Sequence, residues 1–190
     1  MPLRNQYIRD VRIGKATYPI GAIQRIKDIY KQARRGGCDQ ALANQIWGRL
    51  RPIYRQATNG KLPTNQAAFD QFVVRNAFRM QAVLQNARRG GFGIGQKIVN
   101  LFLKDLWALD VIRMPVEQFL HAPIDRRVWQ KLSNPPPTWE AWTKVYAQRR
   151  NSKEVLDYLN MQRDLRSFQR TSPIRFPSLI QMEQFIWHRI

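Results

Sequence analysis

GFGIGQKIVNLFLK, from Gly91 to Lys104, joins a glycine-rich turn to an apolar run interrupted by few polar residues. Gly93-Ile94-Gly95 can form a tight turn in which one backbone passes close to another. The residues after it predict a helix over 95–109 with Lys97 in the first turn. Arg88 and Arg89 stand just before the glycines. The unpaired N–H groups at a helix start suit a bound anion, and the positive helix end disfavours a nearby ammonium, lowering its pKa.

Helical spacing recurs along nearly all of the chain. Ile23, Ile26, Ile29, Tyr30 and Ala33 share a face that stops before Gly36-Gly37. Asp39 is placed to cap a helix bearing Leu42, Ile46, Leu50, Ile53 and Ala57, which Pro52 should kink or split. Asn59-Gly60 and Pro63 mark a turn, and Thr64 opens a long helix carrying Phe69, Phe72, Val73, Ala77, Met80 and Leu84. Short segments are expected at 116–120 and 125–132. Pro135-Pro136-Pro137 forces a break, Thr138 caps another helix, and two more lie near 152–168 and 178–190. No strand pattern, repeat or low-complexity tract interrupts them. The expectation is an all-α single domain over 1–190, with about ten helices.

Lys and Arg outnumber Asp and Glu by 32 to 13, and the resulting charge of +19 points to a polyanionic partner. Nucleic acid fits that partner better than an anionic membrane or an acidic protein. Hydrophobic residues at 44% supply a real core, which excludes a disordered basic tail. Cys38 alone excludes an internal disulfide and any four-cysteine iron–sulfur or zinc site. With only His121 and His188, no zinc site is expected. No apolar run nears the ~18 residues of a membrane span, and MPLRNQYIRDVR lacks a signal core. A soluble protein with no secretion signal, cytoplasmic or nucleoid-associated, is therefore expected.

Two residues have chemistry suited to a DNA sugar. A deprotonated Lys97 amine can attack C1′ and form a Schiff base, whereas a charged Lys97 contacts phosphate. Both roles remain open from the residues alone. In HAPIDRRV, His121 to Val128, Asp125 precedes a helical segment. It is either an N-cap or a fixed carboxylate that stabilises positive charge on the sugar as a base departs. Lys104, two turns beyond Lys97 on a similar face, is a second amine.

GFGIGQKIVN resembles the hairpin of the helix-hairpin-helix DNA glycosylases, in which Gly-(Val/Ile)-Gly-x-Lys leads into a small-apolar helix. Gly93, Ile94, Gly95 and Lys97 match that pattern, and Asn100 resembles the endonuclease III branch. APIDRRV is similar to the family's later segment, where a Val/Ile-Asp pair precedes a helix, and Asp125 falls on its catalytic aspartate. Phe92 stands where proline is frequent. The 28 positions from Lys97 to Asp125 resemble the long gap of the archaeal 8-oxoguanine glycosylase branch.

The resemblance implies a two-lobed helical fold with a DNA cleft between the lobes, the hairpin over 88–104 and the aspartate segment over 121–132. It implies a base-flipping glycosylase of the repair class, with Lys97 as nucleophile and Asp125 as the stabilising carboxylate, and with abasic-site lyase activity through the Schiff base. Arg88, Arg89, Gly93, Gly95 and Gln96 would contact DNA. Trp107, His121 and Trp129 would form the base pocket, chosen from a set that also holds Trp139, Trp142 and Trp187. No metal or cofactor is implied for the chemistry, although a monovalent cation can assist phosphate binding at such a hairpin. A monomer on double-stranded DNA is expected, with an oxidised purine such as 8-oxoguanine as substrate. The alternatives are a monofunctional glycosylase acting on modified cytosine in phage DNA, a defence role, and a non-catalytic DNA-binding hairpin protein. If about 6 phosphates are neutralised, binding should weaken steeply with salt.

Overall fold

The computed structural model describes residues 3–34, 36–87, 90–123, 147, 149 and 151–188. These residues are all-α. They form α1 (Leu3–Val11), α2 (Ala22–Ala33), α3 (Gln40–Thr58), α4 (Gln66–Asn86), α5 (Phe92–Ala108), α6 (Lys153–Thr171) and α7 (Leu179–His188). Short 3-10 turns occupy Lys15–Thr17 and Val116–Phe119. The segments expected at 125–132 and after Thr138 lie outside the described residues.

Most helix starts follow the local chemistry read from the chain. The Asp39 carboxylate accepts from the Leu42 N–H at 2.8 Å, so the expected N-cap of α3 is in place. At α4 the cap is Asn65, one residue after Thr64, with its side-chain oxygen 2.9 Å from the Ala68 N–H. The predicted apolar faces of α3 and α4 are buried throughout. Pro52 does not split α3, which runs unbroken from Gln40 to Thr58. The fourth residue before it, whose carbonyl the proline ring approaches, is Gly48, and no neighbour lies near the position a Cβ would take there.

α5 is the centre of the molecule. It packs on α1, α2, α3 and most extensively on α4, while α7 closes against α1 and α6. Of its 17 residues, only Lys97 is not buried. A helix surrounded on all sides is expected to be apolar all round. Phe92, Ile98, Phe102, Leu106 and Trp107 each show no exposure, and the polar residues it also buries, Gln96, Asn100, Lys104 and Asp105, are paired within the fold.

The start of α5 corrects the expected glycine turn. The helix begins at Phe92, so Gly93, Ile94 and Gly95 are helical, and the Gly95 N–H already donates to the Gly91 carbonyl at 2.9 Å. Close backbone approach is still why glycine stands at 95, but the neighbour is α4. A Cβ there would sit 2.7 Å from the Ala77 carbonyl oxygen and 3.3 Å from the Gln81 nitrogen. The sharp change of direction falls instead at Gly90, with φ +148°, which a side chain would strain.

Candidate functional site

A cavity of about 290 Å³ opens beside the one half-buried residue of α5. α5 contributes Lys97, Leu101 and Lys104, which lie three and four residues apart on one face. α1 adds Tyr7, Asp10 and Val11, the end of α2 adds Gln32, and α7 adds Glu183 and Trp187. Pro123 completes the wall, two residues before Asp125 in the sequence. Asp125 itself lies outside the described residues, as do Arg88, Arg89 and Trp129.

The two lysines differ in their surroundings. Lys104 is 2% exposed, forms an ion pair with the buried Glu183 carboxylate, and places Nζ 4.6 Å from the Tyr7 ring centre. Such a pair neutralises two buried charges that would otherwise be costly. Lys97 is half-buried and reaches the cavity from the second turn of α5, because the helix starts earlier than expected. The helix end therefore acts on it less than on a first-turn residue.

The Tyr7 wall is fixed by a buried carboxylate. Asp105 has no exposure and accepts the Tyr7 hydroxyl at 2.7 Å, the Tyr18 hydroxyl at 2.8 Å, and Arg25 Nε and Nη2, both at 2.7 Å. Burial, reinforced by the Asp105 charge, holds both tyrosine hydroxyls well above their usual pKa. For Arg25, burial opposes the charge, but the bonds to Asp105 outweigh it and the pKa rises. Glu117 secures the α7 wall. It accepts from Arg4 at 2.7 Å, from the Ser178 hydroxyl at 2.9 Å and from Gln181 Nε2 at 2.6 Å.

Several expected site residues sit elsewhere. Gln96 has no exposure, donates to the Gly93 carbonyl at 2.9 Å and accepts from Asn100 at 2.9 Å, so it is an internal strut and not a phosphate contact. Gly93 and Gly95 are buried within α5 and present no turn to a phosphate. Trp107 has no exposure and lies under the Arg4 guanidinium, 5.2 Å from its ring centre, so it belongs to the core and not to a base pocket. His121 is also buried and does not line the cavity. Its Nε2 is 2.8 Å from Asp70 and its Nδ1 2.6 Å from the Tyr158 hydroxyl.

The sequence reading missed Tyr7, Asp10, Gln32 and Glu183, and it chose Trp107 and Trp129 for the base pocket over Trp187, the tryptophan that lines the cavity. Among them only Glu183 carries a sequence signal, a charge inside the apolar run LIQMEQFIW. Among the described residues, no group of three or more His, Cys, Asp or Glu is placed to hold a metal ion, and no helix is long and apolar enough to cross a membrane. No family model, no curated protein and no solved structure matches the chain.

Proposed function

We propose that this protein is a DNA glycosylase of the helix-hairpin-helix kind, in which Lys97 attacks the sugar of a nucleotide held in the cavity. One observation carries the reading: the single residue of the central helix that escapes burial is this lysine, and it lines an open-mouthed cavity with an aromatic ring, Trp187, on its wall. A cavity of this size falls near the lower end of the ~300–1,000 Å³ usual for small-molecule sites. A flipped base needs an aromatic or apolar surface to replace its lost stacking, and Trp187, Leu101 and Pro123 offer one.

The Lys97 amine, once deprotonated, forms a bond to C1′ while the C1′–base bond breaks and the base leaves with the electron pair, taking up a proton. The amine then sheds a proton, the C1′–O4′ bond breaks with O4′ taking up a proton, and the opened sugar is left as a Schiff base at C1′. Loss of a C2′ proton from it then expels the 3′ phosphate. Asp125 is assigned the stabilisation of positive charge at the sugar through the resemblance of APIDRRV. The DNA backbone is assigned to cationic side chains around the cavity, since the buried glycines do not serve. Arg9, Arg12 and Lys31 are exposed and adjoin the lining residues Asp10, Val11 and Gln32. An oxidised purine is the favoured substrate.

The test is borohydride trapping on duplex DNA carrying a preformed abasic site, with wild type, Lys97→Gln and Lys104→Gln. A covalent adduct lost in Lys97→Gln, at unchanged duplex binding, supports the assignment. Base release without any adduct would replace it with a glycosylase that activates water. Salt-sensitive duplex binding with neither product would leave a non-catalytic DNA-binding protein.

A further inference from the structure

The chain entering the cavity wall at Pro123 is gripped from behind by residues that do not line the cavity. One side chain holds both backbone groups of Ala122: its N–H donates to Gln162 Oε1 at 3.0 Å, and its carbonyl accepts from Gln162 Nε2 at 2.9 Å. Gln81 grips Ala147 in the same way, at 3.2 and 2.9 Å. One residue before Ala122, His121 packs against the rings of Phe69 and Tyr158 and bonds to Asp70 and Tyr158. The Tyr158 hydroxyl accepts from Asn100 Nδ2 at 2.9 Å, and the same amide donates to Gln96. Gln96 and Asn100 flank Lys97 on α5.

The direction of these bonds follows from their ends. An ionised Asp70 only accepts, so His121 carries its proton on Nε2, and Nδ1 accepts the Tyr158 O–H. The tyrosine oxygen in turn accepts from Asn100. From Asn100 through Tyr158 and His121 each of these protons points toward Asp70, and a chain polarised in one direction strengthens its members. His121, Tyr158, Asn100, Gln96 and Gln162 are all buried. Replacing a buried hydrogen-bond network by apolar side chains of similar volume can be nearly neutral for stability, but apolar contacts carry no bond direction to fix one orientation.

We propose that Asp70, His121, Tyr158 and Asn100, together with the Gln162 clamp, are positioning residues that set Pro123 against the Lys97 face of α5. Proline has a nearly fixed φ, so orienting the Ala122 backbone orients the ring that forms the wall. The amine and the sugar must meet within a few tenths of an ångström, and a displacement near 1 Å can cost about 100-fold in rate. The inference rests on reading Lys97 as the reactive amine.

The experiment compares wild type with Tyr158→Phe, Asp70→Ala, Asp70→Asn and Gln162→Leu. Ile46→Ala, a buried change on α3 away from the chain, serves as the stability control. Hydrogen exchange at the Ala122 amide reads the clamp without reference to chemistry, and single-turnover trapping on abasic duplex reads the amine. Tyr158→Phe, Asp70→Ala and Gln162→Leu are expected to speed exchange and to slow trapping by about 10–100-fold at unchanged duplex affinity. Asp70→Asn still accepts the His121 proton and is expected to retain both. Exchange unchanged in Tyr158→Phe and Asp70→Ala, or trapping slowed equally in Ile46→Ala, overturns the proposal. Absence of an adduct in wild type defeats the amine assignment instead, while the exchange result still decides whether the chain positions Ala122.

Discussion

Asp105 carries more consequence than its place in the sequence implies. It is the common acceptor for Arg25, Tyr7 and Tyr18, which come from α1, α2 and the loop between them. Removing it leaves a buried guanidinium without its partner and two hydroxyls without an acceptor. Asp105→Ala is therefore expected to cost about 3–5 kcal/mol. Urea denaturation would check this, and a loss below about 1 kcal/mol would show that water or a neighbour replaces the carboxylate. Lys97→Gln, by contrast, changes a half-buried side chain and should leave the denaturation midpoint near wild type while abolishing the adduct. The sequence marked Lys97 and Lys104 correctly as sharing a face, because i to i+7 spacing is a local property of a helix. It gave no sign that Glu183, 79 positions from Lys104, would neutralise the second amine.

The glycines of α5 show how one residue type can be read two ways. Close approach was expected at Gly95 and is found there, but it serves the packing of α4 on α5. Gly95→Ala sets a methyl group against the backbone carbonyl of Ala77, which cannot swing aside as a side chain would. The helices must part, at a cost of about 1–3 kcal/mol. Thermal melting without DNA measures it. An unaltered melting temperature with weakened DNA binding would restore the phosphate role. Helix starts were read to within a residue at Asp39 and Asn65, where the cap is a side chain bonding three residues ahead. The start of α5 was placed three residues late, because Gly91 caps without a side chain and leaves no such mark.

At the scale of the whole molecule, the pH response should follow His121 and Asp70. Burial holds the His121 imidazole below its ordinary pKa, against the pull of Asp70 and with the help of Arg166. Arg166 donates to the carbonyls of residues 118–120, and Tyr158 faces the ring from the same helix, α6. The unfolded chain thus binds a proton that the folded chain refuses. Stability from neutral His121 is complete above the ordinary value near 6.5 and falls as the pH drops below it. For Asp70, burial raises the pKa, but the His121 and Gln66 bonds outweigh it. Its contribution is lost only at lower pH, below the ordinary carboxylate value near 3.8, with the same sign. The melting temperature should therefore fall between pH 7 and 5, and His121→Gln should flatten that slope. A flat wild-type profile would place His121 in contact with solvent.

An all-α fold, its buried faces and its large positive charge could be read from the chain because each depends on spacing or composition alone. Helical periodicity repeats over a few residues, and charge simply sums. The cavity could not be read in that way, since Tyr7, Gln32, Lys97, Pro123 and Glu183 meet only after five separate stretches have packed. The fate of the polar residues was likewise a tertiary matter. His121 and Gln96 became internal struts, and Trp107 became core, because burial and hydrogen-bond partners depend on side chains far away in sequence. The Asp105, Glu117 and Asp70 networks each join segments some fifty or more positions apart, and only the folded chain brings such donors to one carboxylate.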